Sequence, residues 1–334
     1  MGEHFKWNPS EERAGQMLRQ AVYMEDIVTL EHLVKNKADL EARDETGATP
    51  LHIATQCKPN LISYFLTKRA DVTATDGEGF SALAWACIKG HAPAVRELLG
   101  GYADGEALMA SSSKTALSLC AERGHLECVT ELLNWTAVET LNSDGSTALM
   151  CACHNLEAEV VSLLLSKNAK VNLSDSEGWT ALMHSVTAPV SLMSSNEQSE
   201  QRVNLDGVLG KRSCVEMLLL HGAQVDAQTT DGLTALVIAA GRDRPMAVKR
   251  LLEFRADVNL STGRGQTPLL MATAHDLPHV VRILIVARAD INQTNFKGAS
   301  PLQIAEKYVF KEVTDLLKRA GATAPKTKKK NKAK

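Results

Sequence analysis

Aromatic residues are scarce in this chain. Phe, Trp and Tyr make up only 4% of the 334 residues, although 44% of the residues are hydrophobic. Aromatic side chains usually supply much of the buried area of a large globular core, so their scarcity argues against a core of that kind. The chain is also longer than the roughly 250–300 residues at which single cores stop growing. These features predict several domains or a repeat array built from small and aliphatic side chains.

Long apolar runs are also missing. No stretch approaches the ~18 apolar residues of a membrane span, and the apolar run at 280–287 suits a buried helix. Residues 1–7 are charged and lack the apolar segment of a secretory leader. The seven cysteines are odd in number and are not spaced like a disulfide framework, which favours a reducing compartment. We therefore expect a cytoplasmic protein that does not insert into membranes.

Positive charge is concentrated at the end of the chain. The formal net charge is −2, yet residues 325–334 hold six lysines and no acid, so the rest of the chain is acidic. An acidic body argues against binding of a phosphate backbone by the body itself. The basic tail predicts a nuclear-import signal or a polyanion contact, and a nuclear location is the alternative to the cytoplasm. Its lysines are Lys326, Lys328, Lys329, Lys330, Lys332 and Lys334.

One short word recurs along the chain. It reads GATPLHIA at 47–54 and GLTALVIA at 232–239, and each copy is followed by a second apolar segment and an exit such as ADVN. Each copy carries a Thr or Ser that we call the anchor. Neighbouring anchors are 32 to 34 residues apart, except for one step of 54. The anchors are Thr49, Ser81, Thr115, Thr147, Thr180, Thr234, Thr267 and Ser300.

The period near 33, the T-P-L-H word at 49–52, the ADVN-type exits and the Gly before the anchors resemble the ankyrin repeat family. The resemblance implies an all-α repeat solenoid of helix-turn-helix units with short β-hairpin fingers and a concave binding face. It also implies an N-terminal extension at 1–9, an N-terminal capping helical unit at 10–43, eight repeats over 44–321 and a Lys-rich disordered tail at 322–334.

The residues that recur in each copy of the motif have local physical roles. An anchor oxygen can cap the first helix of its repeat. Gly stands two residues before seven of the eight anchors, where a tight turn needs a positive φ. The third repeat has Ser113 at that position, so we expect an irregular hairpin there. We call the turn before each anchor a finger and number the fingers one to eight.

Two further departures from the family pattern stand out. The fifth repeat carries extra residues at about 189–212, which predict a polar insertion loop that is either a docking or phosphorylation element or a plain insertion. The family also favours Gly after the second helix. Non-glycine residues in a left-handed conformation there would each cost on the order of 1 kcal/mol. Those residues are Lys37, Arg69, Asn168, Arg255 and Arg288.

No constellation in the sequence points to catalysis. Cys151, Cys153 and His154 are spaced like metal ligands, but the two cysteines fall on helix positions where the family packs small apolar residues. We assign His52 and His184 to the His of the T-P-L-H word, which in the family hydrogen-bonds backbone between repeats. Nothing pairs a nucleophile with a base, so we expect neither an enzyme nor a metal or cofactor.

The residue just before each anchor faces outward in the family's register. Phe80, Trp179 and Leu233 are large and apolar at that position, and exposed apolar anchors mark interaction sites. Charges on the same face are sorted by sign, which favours an extended partner that is basic at one end and acidic at the other. The early fingers offer Glu45, Glu78, Asp144, Glu177 and Asp231, and the last repeats offer Arg242, Arg264, Lys297 and Lys307.

Three exit asparagines form a separate candidate site. Asn172, Asn259 and Asn292 each follow a leucine by eight residues in V-N or I-N exits. They resemble the asparagines that a cytosolic hydroxylase modifies in ankyrin arrays, so hydroxylation is implied by the resemblance.

Together these patterns predict a monomeric, non-catalytic scaffold or adaptor that binds one or more proteins on the concave face. The alternatives are an inhibitor that masks a nuclear partner, and an array tethered to nucleic acid or a ribonucleoprotein through the lysine tail.

Overall fold

The computed structural model describes residues 11–108, 113–187 and 213–323, which form a succession of short helix pairs. Among these residues no strand forms, and the fingers contain only isolated antiparallel bridges such as Thr75 with Ser81. None of the helices described is long and apolar enough to cross a bilayer. In chain order the helices are α1 Glu11–Met24, α2 Ile27–Lys35, α3 Pro50–Cys57, α4 Ile62–Thr67, α5 Ala82–Lys89, α6 Ala92–Gly100, α7 Ala116–Glu122, α8 Leu126–Leu132, α9 Ala148–His154, α10 Ala158–Ser166, α11 Ala181–Thr187, α12 Cys214–Leu220, α13 Ala235–Gly241, α14 Pro245–Glu253, α15 Pro268–Ala274, α16 Pro278–Val286, α17 Pro301–Lys307 and α18 Lys311–Arg319.

The chain divides into two compact units. The first comprises 1–152 with 162–169, and the second comprises 153–161 with 170–334. In the first unit α3, α5 and α7 pack in a row, and α4, α6 and α8 form a second row. In the second unit α11, α13, α15 and α17 form one row, and α12, α14, α16 and α18 form the other. Each unit is therefore a layer of first helices on a layer of second helices.

The anchors cap the first helices, as predicted. Seven of the eight anchor oxygens accept the N–H three residues later, for example Ser81 Oγ from the Ala84 N–H at 3.2 Å. In the first repeat Thr49 and His52 form a capping box, in which His52 Nδ1 accepts the Thr49 N–H at 3.3 Å and lies 2.8 Å from Thr49 Oγ1. His52 Nε2 lies 2.9 Å from the Phe80 carbonyl. Burial lowers the pKa of His52, which keeps the ring neutral. His52 thus joins neighbouring repeats through backbone, as expected.

The finger glycines adopt the predicted left-handed conformation, and the third finger is irregular. Ser113 takes the glycine's place there with φ 54°. In the first unit the Gly77 N–H donates to the Thr46 carbonyl at 2.8 Å, whereas the equivalent N–H of Ser143 reaches the Ser113 carbonyl, one position further along its finger. The irregular finger therefore shifts the bonding by one residue. The seven glycines have φ between 73° and 83°: Gly47, Gly79, Gly145, Gly178, Gly232, Gly265 and Gly298.

At five positions after second helices a non-glycine residue adopts the left-handed conformation, whereas Gly222 and Gly321 keep the glycine. Tyr102 adopts the same conformation with φ 70° and was not anticipated. Local backbone bonds hold these turns: the Arg255 N–H donates to the Leu252 carbonyl and the next N–H to the Leu251 carbonyl, each at 3.0 Å. The five non-glycine residues named from the sequence, with φ between 61° and 66°, are Lys37, Arg69, Asn168, Arg255 and Arg288.

The core is aliphatic, with Leu, Ala and Val at most buried positions. Phe65 is the largest side chain that is fully buried among the described residues. None of the seven cysteines, all of which lie within the described residues, forms a disulfide, and only Cys57 is exposed. Burial of Cys151 and Cys153 confirms their assignment to packing positions. The other buried cysteines are Cys87, Cys120, Cys128 and Cys214.

Candidate protein-binding surface

In the first, second and fifth to eighth fingers, a polar side chain five residues before the anchor accepts backbone N–H groups of the turn and closes it. In the second finger Asp76 Oδ1 accepts the N–H groups of Glu78 at 3.0 Å and Phe80 at 2.9 Å. In the fifth finger Asp175 Oδ1 accepts from Glu177 at 3.0 Å and Trp179 at 2.8 Å. One carboxylate oxygen thus fixes the turn, and the second oxygen remains available for another donor.

In the second finger that second oxygen positions an aromatic pair. Asp76 Oδ2 accepts the indole N–H of Trp85 at 2.7 Å. The Trp85 ring packs against Phe80, with centroids 5.5 Å apart and planes at 59°. The Lys89 ammonium lies 6.0 Å from the Trp85 ring centroid. Phe80 and Trp85 are both half-buried, so a rigid aromatic surface faces solvent beside Glu78.

The fifth finger repeats this arrangement with a histidine. His184 Nε2 lies 3.2 Å from Asp175 Oδ2, and its ring packs 5.6 Å from the ring of Trp179. The His154 ring meets the His184 ring edge-on, with centroids 5.9 Å apart and planes at 79°. The assignment of His184 to the T-P-L-H word is wrong: His184 stands four residues after its anchor, not three. It therefore lies on the exposed side of α11 and contacts a side chain instead of backbone.

Leu233 is the third predicted apolar anchor. Its side chain is half-buried, and its backbone is bonded to Thr229, whose hydroxyl accepts the Leu233 N–H at 3.1 Å. No aromatic partner is described for it. Leu233 therefore offers a smaller apolar surface than the two aromatic pairs.

A row of charged side chains runs along the fingers of the second unit. Its members stand three residues before their anchors: Glu177, Asp231, Arg264 and Lys297. Backbone bonds join neighbours: the Glu177 carbonyl accepts the Thr230 N–H at 3.1 Å, the Asp231 carbonyl the Gly263 N–H at 2.9 Å, and the Arg264 carbonyl the Phe296 N–H at 3.3 Å. We call these four side chains the charged row. Its sign changes once, from acidic to basic.

The other acidic candidates lie on the fingers of the first unit. Glu45, Glu78 and Asp144 are all exposed. Asp144 is already engaged, because its Oδ1 accepts the N–H and the hydroxyl of Ser146 at 2.9 and 2.6 Å. Partial burial alone would raise the pKa of Asp144, but these bonds hold it below its usual value. Glu45 and Glu78 have no side-chain bond within the described residues, so they remain free to pair with a partner.

The basic candidates fall into two kinds. Arg264 and Lys297 are exposed and form no ion pair with any described residue. Arg242 donates to the Thr187 carbonyl at 3.3 Å, at the end of α11. The Lys307 ammonium lies 5.1 Å from the centroid of the Tyr308 ring. The charged row therefore holds the cations most available to a partner.

The three exit asparagines cap the following repeat. Asn172 Oδ1 accepts the Gln224 N–H at 2.8 Å, Asn259 Oδ1 the Asp290 N–H at 2.7 Å, and Asn292 Oδ1 the Thr323 N–H at 2.9 Å. Each side chain thus satisfies a backbone donor of its neighbour. The lysine tail, the insertion at 189–212 and the extension at 1–9 lie outside the described residues.

Sequence reasoning missed Asp76, Trp85 and Phe296. The sequence did contain a signal for the first two. In the second repeat an acidic residue stands five residues before the anchor, an aromatic residue stands one residue before it, and a second aromatic residue stands four residues after it. The fifth repeat has the same pattern, with His184 as the second ring. Phe296 is 78% exposed at a finger position where the other described fingers carry small or polar residues. Comparing the residue four positions before the anchor in all the repeats would have identified Phe296 as the one large apolar residue there.

The helix pairs, capped first helices and turn-forming fingers define an α-helical repeat protein with a finger surface suited to protein binding. The family model for ankyrin repeats (3 copies) matches residues 18–109, 117–190 and 208–295, more than half of the chain. The chain therefore belongs to the ankyrin repeat family.

Individual relatives match through part of their length. The B-cell lymphoma 3 protein homolog of Mus musculus is 29% identical over 68% of this chain and 48% of its own length. Putative palmitoyltransferase ZDHHC13 of Danio rerio is 26% identical over 54% of this chain and 30% of its own. Ankyrin repeat and SOCS box protein 16 of Mus musculus is 30% identical over 41% of this chain and 35% of its own. The chain thus spans about half or less of these relatives.

Proposed function

We propose that this chain is a non-catalytic scaffold or adaptor that binds a partner protein along its fingers and first helices. The observation that carries the proposal is the aromatic pair fixed by a finger aspartate, which is built twice: Phe80 on Trp85, and Trp179 on His184. A half-exposed ring already held in place loses little conformational freedom on binding. Rigid aromatic anchors of this kind are typical binding hot spots.

The charges indicate what the partner offers. In the first unit the exposed carboxylates of Glu45 and Glu78 lie on the first and second fingers, and Phe80 also lies on the second finger, which favours a basic segment there. In the second unit the charged row favours a segment that is basic beside Glu177 and acidic beside Lys297. We propose that the protein acts as a monomer and by occupancy, by bridging, masking or positioning its partner.

The test is capture of partners by the tagged full-length protein from its own cells, identified by mass spectrometry. We expect a partner that is retained by wild type and reduced at least tenfold by Phe80→Ala/Trp179→Ala. The matched control is Tyr102→Ala/Trp135→Ala, because these two rings are exposed and follow second helices. Each variant should first be shown to melt cooperatively.

Partners retained equally by all three proteins would contradict the role of the aromatic pairs. The search would then move to the insertion at 189–212 and to the lysine tail. The tail supports the alternative functions, a masked nuclear partner or a tether to nucleic acid or a ribonucleoprotein, because it holds six lysines and no acid. Seven cysteines without a disulfide in the described residues favour a reducing compartment, and we propose the cytoplasm with the nucleus as the alternative.

Hydroxylation of the exit asparagines is a separate proposal, implied by the family resemblance. Because Asn172, Asn259 and Asn292 each accept a backbone N–H in the fold, a hydroxylase needs local opening of the exit to reach them. We expect mass spectrometry of the cellular protein to find one added oxygen on at least one of the three. Unmodified peptides at all three positions would exclude the proposal.

A further inference from the structure

The seventh and eighth fingers carry an exposed aromatic side chain between two cations. Phe296 stands four residues before its anchor, where the other described fingers have Glu45, Gly77 or similarly small or polar residues. Its ring is 78% exposed, which leaves a large apolar surface in water without an intramolecular reason.

Backbone contacts hold this aromatic residue in place. The Phe296 N–H donates to the Arg264 carbonyl at 3.3 Å. Its ring lies so close to Gly265 that a Cβ there would approach Phe296 Cδ1 to 2.8 Å. On its other side the turn is closed by Asn295, whose Oδ1 accepts the Lys297 N–H at 3.0 Å. The ring therefore lies over the seventh finger, with one cation contributed by each finger.

Neither cation is neutralised by the protein. Arg264 and Lys297 are exposed and have no ion pair among the described residues. The nearest members of the charged row on the other side are Asp231 and Glu177, one and two fingers away. A ligand for Arg264 and Lys297 must therefore be negatively charged over a short length only.

From these contacts we infer that Arg264, Phe296 and Lys297 bind a short acidic segment of a partner protein that also carries an apolar side chain. The carboxylates would pair with the two cations and the apolar side chain would cover the Phe296 ring. A continuous phosphate backbone fits less well, because it would run on towards Asp231 and Glu177 and because two cations release few counterions. The inference rests on the proposed function only in taking a protein as the partner.

The test selects peptides from a random library displayed on phage, with the full-length protein as bait. The variant Arg264→Glu/Phe296→Ala/Lys297→Glu serves for counter-selection. We expect enriched peptides that combine acidic with apolar residues, and at least tenfold weaker binding of those peptides to the variant. The double variant Phe80→Ala/Trp179→Ala should bind them like wild type, which separates this site from the aromatic pairs.

Two matched controls test whether the loss of binding comes only from the change in net charge or from the loss of any exposed ring. Lys249→Glu/Arg319→Glu makes the same charge change on exposed residues of second helices, and Tyr308→Ala removes another exposed ring of the second unit. Both should leave peptide binding within twofold of wild type, and these two controls and the triple variant should melt like wild type because their changed side chains are exposed.

Three outcomes would overturn the inference. The enriched peptides could lack acidic residues, they could bind the triple variant as well as wild type, or the library could yield no specific binder. Binding of a fluorescent single-stranded oligonucleotide at physiological salt, lost in the triple variant while acidic peptides do not bind, would assign the site to nucleic acid instead.

Discussion

Replacing Gly232 with alanine should lower the free energy of unfolding of the second unit by about 2–4 kcal/mol, whereas Gly298→Ala should cost only about 1–2 kcal/mol. Both glycines are left-handed, with φ of 77° and 73°, so both changes carry the same conformational cost. Only Gly232 is crowded: an added Cβ would lie 2.8 Å from the Gly263 N atom. At Gly298 nothing lies within 4 Å.

The measurement is chemical denaturation followed by far-ultraviolet circular dichroism, with the two variants and wild type in parallel. The contacting atoms at Gly232 are backbone, so they can move aside only by disturbing the bond between Gly263 and Asp231. Equal losses at both positions would show that close stacking of the fingers contributes nothing measurable to stability.

The variant Asp76→Ala should destabilise the first unit by about 2–3 kcal/mol, because it removes three hydrogen bonds of about 1 kcal/mol each. These are the bonds from the Glu78 and Phe80 N–H groups and from the Trp85 indole. Asp76→Asn should cost about half as much, because an amide oxygen can still close the turn. Asn295 does so in the eighth finger, where its Oδ1 accepts two N–H groups.

The two variants also show whether the Asp76 carboxylate holds the Trp85 ring in addition to closing the turn. In a chain with Trp85 as its one tryptophan, the decay of fluorescence anisotropy reports nanosecond motion of the indole. We expect greater motion of the indole in both variants than in the parent. In the otherwise unchanged chain, both variants should capture the partner more weakly than wild type. An indole as rigid in Asp76→Asn as in the parent would mean that packing on Phe80, not the carboxylate, holds the ring.

Local features of the repeat could be predicted because each depends on a few neighbouring residues. An anchor such as Ser81 caps its helix through an N–H three residues away, and a glycine such as Gly232 sets its own φ. The left-handed Arg255 and Arg288 followed from the same local reasoning. Family register alone therefore determined the helices, the caps and the turns.

The aromatic pairs could not be read from any single position. Trp85 contacts Asp76 and Phe80 because the first helix folds back beside its finger. The pair can therefore be predicted only by comparing three positions of the repeat at once. The error at His184 came from aligning it one position too early on the helix. One residue is about 100° of helix rotation, which is enough to turn a ring from the neighbouring repeat towards the exposed side.

The bonds between the fingers have a direction, and the charges follow it. In the second unit each carbonyl points towards the next finger and each N–H towards the previous one, so the peptide dipoles add as they do along a helix. Their positive end lies at the fifth finger, beside Glu177, and their negative end at the eighth, beside Lys297. The order of acids and bases along the fingers is therefore stabilised by the backbone before any partner arrives, and a design that exchanged the two signs would oppose the molecule's own dipole.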